Sequence, residues 1–360
     1  MSDTWKYQIS TPALIVDYDI LQKNINKMAE FAQEHGINVR PHVKTHKCPI
    51  IAHMQLEAGA QGICVAKVSE AEVFAASGIK DILIANEVVT PEKIQRVLNL
   101  NKFTKTMVIV DTKQNVDDLN KAASKKKLEL EILIDMNVGM DRSGVQPGEA
   151  ALELARLIDK SSHLKLHGLQ AYEGHLMYIK DFKQKETQTK ACMKTTVETK
   201  ELIERNGIEC NVLTGGGTGT YMITGKYPGI TEIQPGSYIF QDHHYHSLVP
   251  DFDIALTILT TVKNKPVEGI ITLDMGLKSV TIDKGTPIFK GFGRKIRVGA
   301  LSEEHCQCTC SSKIELNIGD KIEAITAHIC TTVHLYDFFY VIQDGEIIGK
   351  WEVSARGMRE

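Results

Sequence analysis

Lys44 lies in the run RPHVKTHK at residues 40–47, beside one arginine, one further lysine and two histidines. Two kinds of chemistry fit this run: a solvated basic patch that meets an anionic partner, or a reactive lysine held in a buried site. Positive neighbours and partial burial favour the neutral amine of a lysine, which can form an imine with a carbonyl group. Lys44 is therefore a candidate nucleophile, and a basic surface loop is the alternative.

A second candidate is the glycine-rich run TGGGTGT at residues 214–220, which follows an apolar segment. Glycines at 215–217 let backbone N–H groups turn toward a bound anion, and threonines at 214, 218 and 220 add hydroxyl donors. The spacing differs from that of a P-loop, and the helix and acid of a dinucleotide site are missing. The run predicts a phosphate site, and glycine turns that serve only geometry are the alternative.

His328 and Cys330, in the stretch AITAHICTTVHL, form a candidate metal site. In an extended strand, residues i and i+2 project from the same face, so both side chains can reach one ion. Two protein ligands leave positions for water and substrate, as a catalytic metal requires. A thiolate ligand favours zinc, whereas a carboxylate in its place would favour manganese or magnesium. Packing of both side chains on a sheet face is the alternative.

Two more clusters contain metal-ligating residue types. HCQCTC at residues 305–310 places Cys306, Cys308 and Cys310 on one strand face. The outer two would lie ~13 Å apart and would need a bend to share an ion. The histidines of QDHHYHS at residues 241–247 fit either a substrate pocket or an exposed hinge. The sequence assigns no role to either cluster.

The composition excludes several partners. With 42 basic against 45 acidic residues and a net charge of −3, no overall field attracts nucleic acid or an anionic membrane. The N-terminus has no signal pattern, and no apolar run approaches the ~20 residues that span a bilayer. The eight cysteines are scattered, which is typical of reduced thiols. We expect a cytoplasmic protein without a nucleic-acid or membrane partner.

The candidate residues need a scaffold that brings distant segments together. Short β-branched runs alternate with segments of helical periodicity over the first two-thirds of the chain. We predict strands at residues 13–18, 38–44, 62–67, 81–86, 106–111, 128–137, 164–173 and 210–217. Eight strands that alternate with helices indicate an α/β fold, a (β/α)8 TIM-type barrel, with a doubly wound open sheet as the alternative. Lys44 and the glycine run then follow strands two and eight, at the barrel edge where chemistry occurs.

After about residue 245 the periodicity changes to short alternating runs with turn signals, such as GIITLDMGLKSVTID and FFYVIQDGEIIGKWEV. Such runs are typical of antiparallel strands. We therefore predict a barrel domain over residues 12–245 and a smaller, mainly antiparallel β domain formed by residues 246–360 together with residues 1–11.

Seven motifs, in this order along the chain, carry a family resemblance: RPHVKTHK, DMNVGMDRSG, YEGH, TGGGTGTY, TEIQPGSYIFQD, LSEEH and HIC. The chain resembles the D-threonine aldolase and D-serine dehydratase family of pyridoxal phosphate enzymes, whose N-terminal domain is an alanine-racemase-type barrel. The resemblance extends from about residue 10 to the C-terminus. The lysine and glycine motifs are specific in combination, and Cys306 departs from the glycine that usually follows SEEH.

The resemblance implies a role for each matching residue. Lys44 would bind the cofactor aldehyde, and Arg142 would lie near the cofactor ring and its phenolic oxygen. Tyr172 would approach the pyridine side, and His175 is a candidate base by its position. The phosphate would be held by Thr214, Gly216, Gly217 and Thr218, with Tyr238 lining the same site. His328 and Cys330 would bind the divalent metal, zinc first, with manganese or magnesium as the other candidates.

The implied activity is that of a lyase acting on small 3-hydroxy-D-amino acids. One reaction is retro-aldol cleavage to glycine and an aldehyde, and the other is dehydration to a 2-oxo acid and ammonia. A pyridoxal-phosphate-dependent racemase and a non-enzymatic pyridoxal phosphate carrier are the alternatives. The resemblance also implies a homodimer. The subtype, the preferred side chain and the roles of the three clustered cysteines stay open at this point.

Overall fold

The computed structural model describes residues 3–360, and the chain divides into two compact units. The barrel unit comprises Met28–Lys44, Ile51–Gly236 and Met358–Glu360. The β unit comprises residues 3–27, Thr45–Ile50 and Ser237–Gly357. Residues 1 and 2 of the segment 1–11, which we predicted to join the β domain, lie outside the described residues.

Strands and helices alternate through the first part of the chain, and strands predominate after it. The strands are β1 Ala13–Asp17, β2 Asn38–Val39, β3 Ile63–Val65, β4 Asp81–Glu87, β5 Lys105–Val110, β6 Leu130–Asp135, β7 Leu164–Ala171, β8 Val212–Gly215, β9 Glu232–Ile233, β10 Leu256–Asn264, β11 Ile270–Leu273, β12 Ile288–Phe289, β13 Ile296–Leu301, β14 Cys306–Cys310, β15 Lys321–Ile325, β16 Phe338–Gln343 and β17 Glu346–Glu352. The α-helices are α1 Tyr18–His35, α2 Pro49–Glu57, α3 Val68–Ala76, α4 Pro91–Leu100, α5 Lys113–Lys126, α6 Glu149–Asp159, α7 Phe182–Arg205, α8 Tyr221–Thr224, α9 His243–His246 and α10 Ile329–Val333. Short 3₁₀ helices cover Asp3–Gln8, Val43–Thr45, Gly174–Leu176, Ser237–Ile239 and Gly293–Lys295.

The barrel unit is built on a parallel sheet of eight strands in the order β2-β9-β8-β7-β6-β5-β4-β3. Two backbone hydrogen bonds join its ends, from Gln61 N to Val39 O and from Cys64 N to Pro41 O, both 2.9 Å long. A parallel bridge between His42 and Cys64 continues this pairing. The predicted (β/α)8 barrel is confirmed.

The first predicted barrel strand was assigned to the wrong sheet. Ala13–Asp17 pairs with β10 and β16 in the β unit. The remaining barrel strand is Glu232–Ile233, which pairs with β2 and β8. The apolar run ALIVD fits a strand in either sheet, because a run buried on both faces carries no signal for its partner. Lys44 therefore follows the first barrel strand rather than the second, and the glycine run follows the seventh rather than the eighth.

Branched aliphatic residues explain the barrel strands. Strands β4, β5 and β6 carry the runs ILIA, MVIV and ILI, as expected for parallel strands that are buried on both faces. Leu83, Met107, Ile109 and Leu133 form one core cluster across these strands. The helices begin at residues with suitable chemistry: Pro91 opens α4, and the side chain of Asp181 caps α7 by accepting a bond from Gln184 N at 2.8 Å.

The β unit contains a nine-stranded, mainly antiparallel sheet. Its main path runs β13-β14-β11-β10-β1-β16-β17, with β15 paired to β10 and β12. The pairing of β1 with β16 is parallel. A hydrophobic cluster packs on this sheet and consists of Trp5, Ile9, Ala13, Ile15, Leu259 and Ile342. The predicted second, mainly antiparallel β fold is confirmed.

The basic run at residues 40–47 is not a solvated patch. Within the barrel unit, Arg40 is 3% exposed and forms ion pairs with Asp81 and with Glu232, the latter at 2.9 Å. Within the β unit, Lys47 is 7% exposed and its Nζ lies 3.5 Å from Ala355 O. The surface-loop alternative for this run was therefore wrong.

None of the helices formed by residues 3–360 combines the length and the apolar character needed to cross a bilayer.

The buried ion pair of Arg40 gives a stability prediction. Replacing Glu232 with leucine leaves the Arg40 guanidinium buried with only Asp81, so the free energy of unfolding should fall by about 3 kcal/mol. Denaturant unfolding would measure the loss. As a control, Glu186→Gln removes an exposed pair with Lys190 on α7 and should change stability by less than about 0.5 kcal/mol. Equal effects of the two substitutions would contradict a structural role for the buried pair.

Candidate active site

Lys44 lies in the 3₁₀ helix Val43–Thr45 that follows β2, and it is half-buried. Its charge acts on the neighbouring thiol of Cys64 in β3. Burial raises the pKa of Cys64 to about 12, and the charges of Lys44 and Arg40 offset part of that increase. Since Arg40 is itself neutralised by two carboxylates, its positive charge contributes less near Lys44 than the sequence suggested.

A buried polar network links the strand ends inside the barrel. Gln234, after β9, donates from Nε2 to Thr214 Oγ1 at 3.0 Å and to Gln170 Oε1 at 3.1 Å. Its Oε1 lies 3.6 Å from the Cys64 thiol, which donates to it. Gln170 in turn donates to Asp135 Oδ1 at 2.9 Å. The network thus connects the neighbour of Lys44 with the first residue of the glycine run.

Asp135 ends β6 and lines a small pocket together with Arg142, Ser143 and Tyr172. Burial raises the pKa of its carboxyl to about 6, and the nearby charge of Glu87 acts in the same direction. Hydrogen bonds from Gln170 and Ser143 oppose the increase. A carboxyl group that titrates near neutral pH at a barrel edge is typical of a functional site. We predicted no role for Asp135, although DMNVGMDR begins within the strand predicted at residues 128–137.

Arg142 and Tyr172 come together at this edge. The Arg142 guanidinium lies 5.6 Å from the centre of the Tyr172 ring, which is within the range of a cation–π contact. His175 is exposed and lies against the loop that contains Gly139, where an added Cβ would be 3.3 Å from His175 Nε2. The structure therefore places Arg142, Tyr172 and His175 in one region of the barrel unit.

The glycine run forms a tight turn between β8 and α8. Gly216 has φ +66°, a conformation that L side chains rarely adopt. A Cβ on Gly217 would lie 3.1 Å from Met177 Sδ and 3.4 Å from the Tyr172 ring. The hydroxyl-bearing residues Thr214 and Thr218 are 1% and 2% exposed. Gly216 and Gly217 therefore leave little room for a side chain, and buried hydroxyl groups lie beside them.

The carboxylate of Glu173, which follows Tyr172, accepts a hydrogen bond from the backbone of this turn. Its Oε2 accepts the Gly216 N–H at 3.0 Å, so that amide points at a carboxylate. The expectation that the amides of residues 215–217 all turn toward a bound anion was therefore wrong for Gly216, and the Gly217 N–H likewise has a partner within the protein, Thr220 Oγ1 at 3.3 Å. Glu173 was quoted in the motif YEGH, but its role depends on contacts with residues more than forty positions away.

Tyr238 lies in the β unit, in the 3₁₀ helix Ser237–Ile239. It is 2% exposed, and its ring makes an edge-on contact with Phe252 at a centroid distance of 5.5 Å. Its expected place beside the cofactor phosphate stays a prediction.

His328 and Cys330 are close, but they do not share an extended strand. Strand β15 ends at Ile325, His328 is the N-cap of α10, and Cys330 lies in the first turn of that helix. The predicted strand geometry was therefore wrong. The two side chains nevertheless lie within hydrogen-bonding reach of each other. The Cys330 thiol also contacts Thr45 Oγ1 at 3.4 Å.

Asp283 is a neighbour of this pair that the sequence analysis missed. His328 Nδ1 and Asp283 Oδ2 are 2.5 Å apart, and metal-binding histidines commonly bond a carboxylate through their second nitrogen. Burial lowers the pKa of His328, but the bonds and charges of Cys330 and Asp283 outweigh it and raise that pKa to about 9. No local signal links Asp283 to a histidine that follows 45 positions later.

Among residues 3–360, no group of three or more histidine, cysteine or acidic side chains is arranged to hold an ion, and this applies to His328, Cys330 and Asp283 as well as to the two other clusters. Cys306 and Cys308 are buried in β14 with their Sγ atoms 3.4 Å apart, while Cys310 is half-buried. The histidine cluster forms the short helix α9, which Asp242 caps by accepting a bond from Tyr245 N at 2.8 Å. No disulfide joins the cysteines of the described residues, as expected.

The residues of the barrel unit fit pyridoxal phosphate. Lys44 offers an amine to an aldehyde, and the Arg142–Tyr172 pair offers a cation and an aromatic face to a planar ring. The bare turn at Gly216 and Gly217, with buried hydroxyls on either side, suits a phosphate group. In the β unit, the imidazole of His328 and the thiol of Cys330 are donors that suit a single divalent ion. The carboxylate of Asp283 bonds the other nitrogen of that imidazole.

Comparison with known protein families gives two matches. The model of the alanine racemase N-terminal domain matches residues 16–244. The model of a putative serine dehydratase domain matches residues 255–342. Together they cover most of the chain in the order predicted from its motifs.

Individual relatives match over nearly the full length. A 3-hydroxy-D-aspartate aldolase of Paracoccus denitrificans (strain Pd 1222) is 34% identical over 97% of this chain and 93% of its own. A D-threonine aldolase of an Arthrobacter species is 34% identical with the same coverage. The crystal structure of D-threonine aldolase from Filomicrobium marinum superposes with a TM-score of 0.94 at 32% identity and covers 97% of this chain and 96% of that one.

The carboxyl group of Asp135 makes stability depend on pH. Its pKa in the folded protein, about 6, lies above the unfolded value, so the stabilisation is complete below about pH 4 and is lost as the pH rises to about 6. The variant Asp135→Asn does not titrate at this position. Relative to that variant, the wild type should lose about 3 kcal/mol of unfolding free energy between pH 4 and pH 7. Denaturant unfolding at both pH values tests this, and a constant difference would contradict it.

Proposed function

Because the chain belongs to the D-threonine aldolase and D-serine dehydratase family of pyridoxal-phosphate-dependent lyases, with an alanine-racemase-type barrel, we propose that it cleaves 3-hydroxy-D-amino acids to glycine and an aldehyde. The observation that carries the proposal is the lysine after the first barrel strand combined with the glycine turn after the seventh. The aldolase reaction is favoured over dehydration because the two relatives at 34% identity are aldolases of such substrates.

Each part of the cofactor has a proposed binding residue. Lys44 would bind the aldehyde carbon, and Arg142 would donate to the phenolic oxygen. Tyr172 would lie against the ring on its pyridine side. The phosphate group would be held by the turn that contains Thr214, Gly216, Gly217 and Thr218, and the family resemblance implies Tyr238 as a further contact. These assignments are supported by the cation–π pair of Arg142 and Tyr172 and by the close approach of Gly217 to the Tyr172 ring.

The reaction needs charge stabilisation at Cα and proton transfer at the hydroxyl group. When bound, pyridoxal phosphate supplies an electron sink for the charge released at Cα. His175, whose ring lies beside the Gly139 loop at the exposed edge of the barrel unit, takes the proton of the 3-hydroxyl group as general base. Lys44, which would hold the cofactor aldehyde, would return a proton to Cα of glycine. Asp135 and its amide partners hold the strand ends in register around these groups.

We also assign a divalent metal, zinc first, to His328 and Cys330. When bound, the ion would supply a Lewis acid. Asp283 fixes the imidazole by accepting from His328 Nδ1, which leaves Nε2 for the ion. The thiolate of Cys330 favours zinc over manganese or magnesium.

The chain is further proposed to act in the cytoplasm as a homodimer. Thiols without disulfide bonds among the described cysteines support the first point. The resemblance of the seven motifs supports the second. Light scattering of the purified protein would give twice the chain mass for a homodimer and the chain mass otherwise.

Product analysis tests the proposed reaction. The protein, loaded with pyridoxal phosphate and zinc, is given D-threonine, 3-hydroxy-D-aspartate and D-serine in separate assays, each with its L-enantiomer as control. Glycine and an aldehyde should form from the D-enantiomers alone, at a rate that falls by a factor of at least about 100 in His175→Ala. Formation of 2-oxo acid and ammonia would assign dehydration instead. Appearance of the opposite enantiomer would assign racemisation, and no product from any substrate would leave the carrier function.

Zinc binding should depend steeply on pH. The His328 imidazole must lose its proton to bind an ion, and its pKa is about 9. Zinc affinity should therefore rise about tenfold per pH unit below that value for this proton alone. Asp283→Asn should weaken zinc binding by about 10- to 100-fold at a fixed pH because the imidazole loses its orienting partner. Competition with a chromophoric chelator measures both effects.

The control for this titration is His305→Ala, which removes an imidazole beside the cysteine-rich strand β14. It should bind zinc as the wild type does, whereas His328→Ala should not. Wild-type affinity in His328→Ala, with a loss in His305→Ala, would move the metal site to the cysteine cluster.

A further inference from the structure

Glu173 is a fully buried acid at the glycine turn. It follows Tyr172 after β7, and its side chain is 0% exposed. Its carboxylate accepts three hydrogen bonds: from Gly216 N at 3.0 Å, from Thr220 Oγ1 at 2.6 Å and from Thr224 Oγ1 at 2.5 Å. A buried carboxylate costs free energy unless donors surround it. All three donors here come from the segment that forms the turn and the helix after it.

These bonds fix the geometry of the turn. The bond to Gly216 N sets the orientation of the peptide group between Gly215 and Gly216, at the residue with φ +66°. The two threonine bonds attach α8 to the same carboxylate, and Thr220 Oγ1 also accepts the Gly217 N–H at 3.3 Å. One side chain therefore determines the path of the backbone from Gly215 into α8.

Lys185 holds the same turn from α7. It is 4% exposed, and its Nζ donates to Gly219 O at 3.2 Å and to Met177 O at 3.4 Å. Burial lowers the pKa of this lysine. The carboxylate of Glu173 thus binds amide and hydroxyl donors of the turn, while the amine of Lys185 binds a carbonyl acceptor of the same turn.

We propose that Glu173 is a positioning residue that holds residues 214–220 in the shape that binds the phosphate group of the cofactor, with Lys185 as a second anchor. The inference rests on the proposed function, because it requires pyridoxal phosphate at this turn. Glu173 acts through the backbone of Gly216 and Gly217. Its loss should therefore weaken binding of the phosphate and leave the attachment of the aldehyde to Lys44 intact.

The test compares two ligands that differ only in the phosphate. Apoprotein is titrated with pyridoxal phosphate and with pyridoxal, and binding is followed by absorption, with thermal unfolding recorded in parallel. Glu173→Leu, which keeps most of the volume but accepts no bond, should weaken binding of pyridoxal phosphate by about 10- to 100-fold and change that of pyridoxal by less than about twofold. Lys185→Met should act in the same direction.

The conservative variant Glu173→Gln should restore most of the affinity. Its amide oxygen can accept the Gly216 N–H while its amide nitrogen donates to the threonine hydroxyls, so pyridoxal phosphate should bind within about threefold of wild type. Glu70→Leu is the matched control, because Glu70 is equally buried and its carboxylate caps α3 by accepting from Ala66 N and Lys67 N. It should show no difference between the two ligands beyond that of wild type.

Thr224→Val provides a milder variant if Glu173→Leu does not fold. It removes one donor to the carboxylate while keeping the side-chain shape and should weaken pyridoxal phosphate selectively by about 3- to 10-fold. Equal losses for both ligands, or no loss, in the folded variants would overturn the role of Glu173. Failure of the wild type to bind pyridoxal phosphate would instead overturn the proposed function, and the positioning role with it.

Discussion

Closure of the parallel sheet is the constraint on which the candidate site depends. The bonds Gln61 N–Val39 O and Cys64 N–Pro41 O join the first barrel strand to the second. In a closed parallel barrel, all strands present their carboxyl ends at one edge. Lys44 follows β2 and Thr214 lies in β8, and only β9 separates these two strands in the sheet. Closure places β3 on the other side of β2 and so brings Cys64 next to Lys44.

The segment that contains Lys44 has one residue at the amino ends of the barrel strands and another at their carboxyl ends. Arg40 pairs with Asp81 and Glu232, the first residues of β4 and β9, and so belongs to the amino end of the strands. In such barrels, residues at the amino ends of the strands contribute to stability, and residues at the carboxyl ends carry out the chemistry. Four residues later, Lys44 lies beyond the carboxyl end of β2, where its charge acts on the Cys64 thiol. The buried ion pairs explain why so basic a stretch needs no anionic partner.

The buried polar side chains at the strand ends share one property: each bonds a group that belongs to a different strand or turn. Gln234 bonds Thr214 and Gln170, and Glu173 bonds the turn that follows Thr214. Buried networks that are fully bonded favour a single arrangement of the elements they join. Such an arrangement is what a site needs if its phosphate, ring and amine contacts are to be in place before the cofactor binds.

The sequence predicted the barrel because the alternation of apolar runs and helices is a local pattern. It misplaced residues 13–18, because the partners of β1 lie in β10 and β16, more than 200 residues away. It missed β9, which has two residues and no recognisable period. The family resemblance implied the pairing of His328 with Cys330, with an i, i+2 strand spacing as support, although a helix start produces their proximity. Asp283 and the three bonds of Glu173 are contacts between distant segments, which no local pattern encodes.

Mapping the covalent attachment point of the cofactor tests the central claim most directly. Protein loaded with pyridoxal phosphate is reduced with borohydride, which fixes the carbon–nitrogen bond, then digested and analysed by mass spectrometry. The account predicts the added mass on the peptide that contains Lys44 and on no other. Its appearance on Lys47 or Lys185, or its absence from every peptide, would contradict the assignment of Lys44 and with it the proposed site.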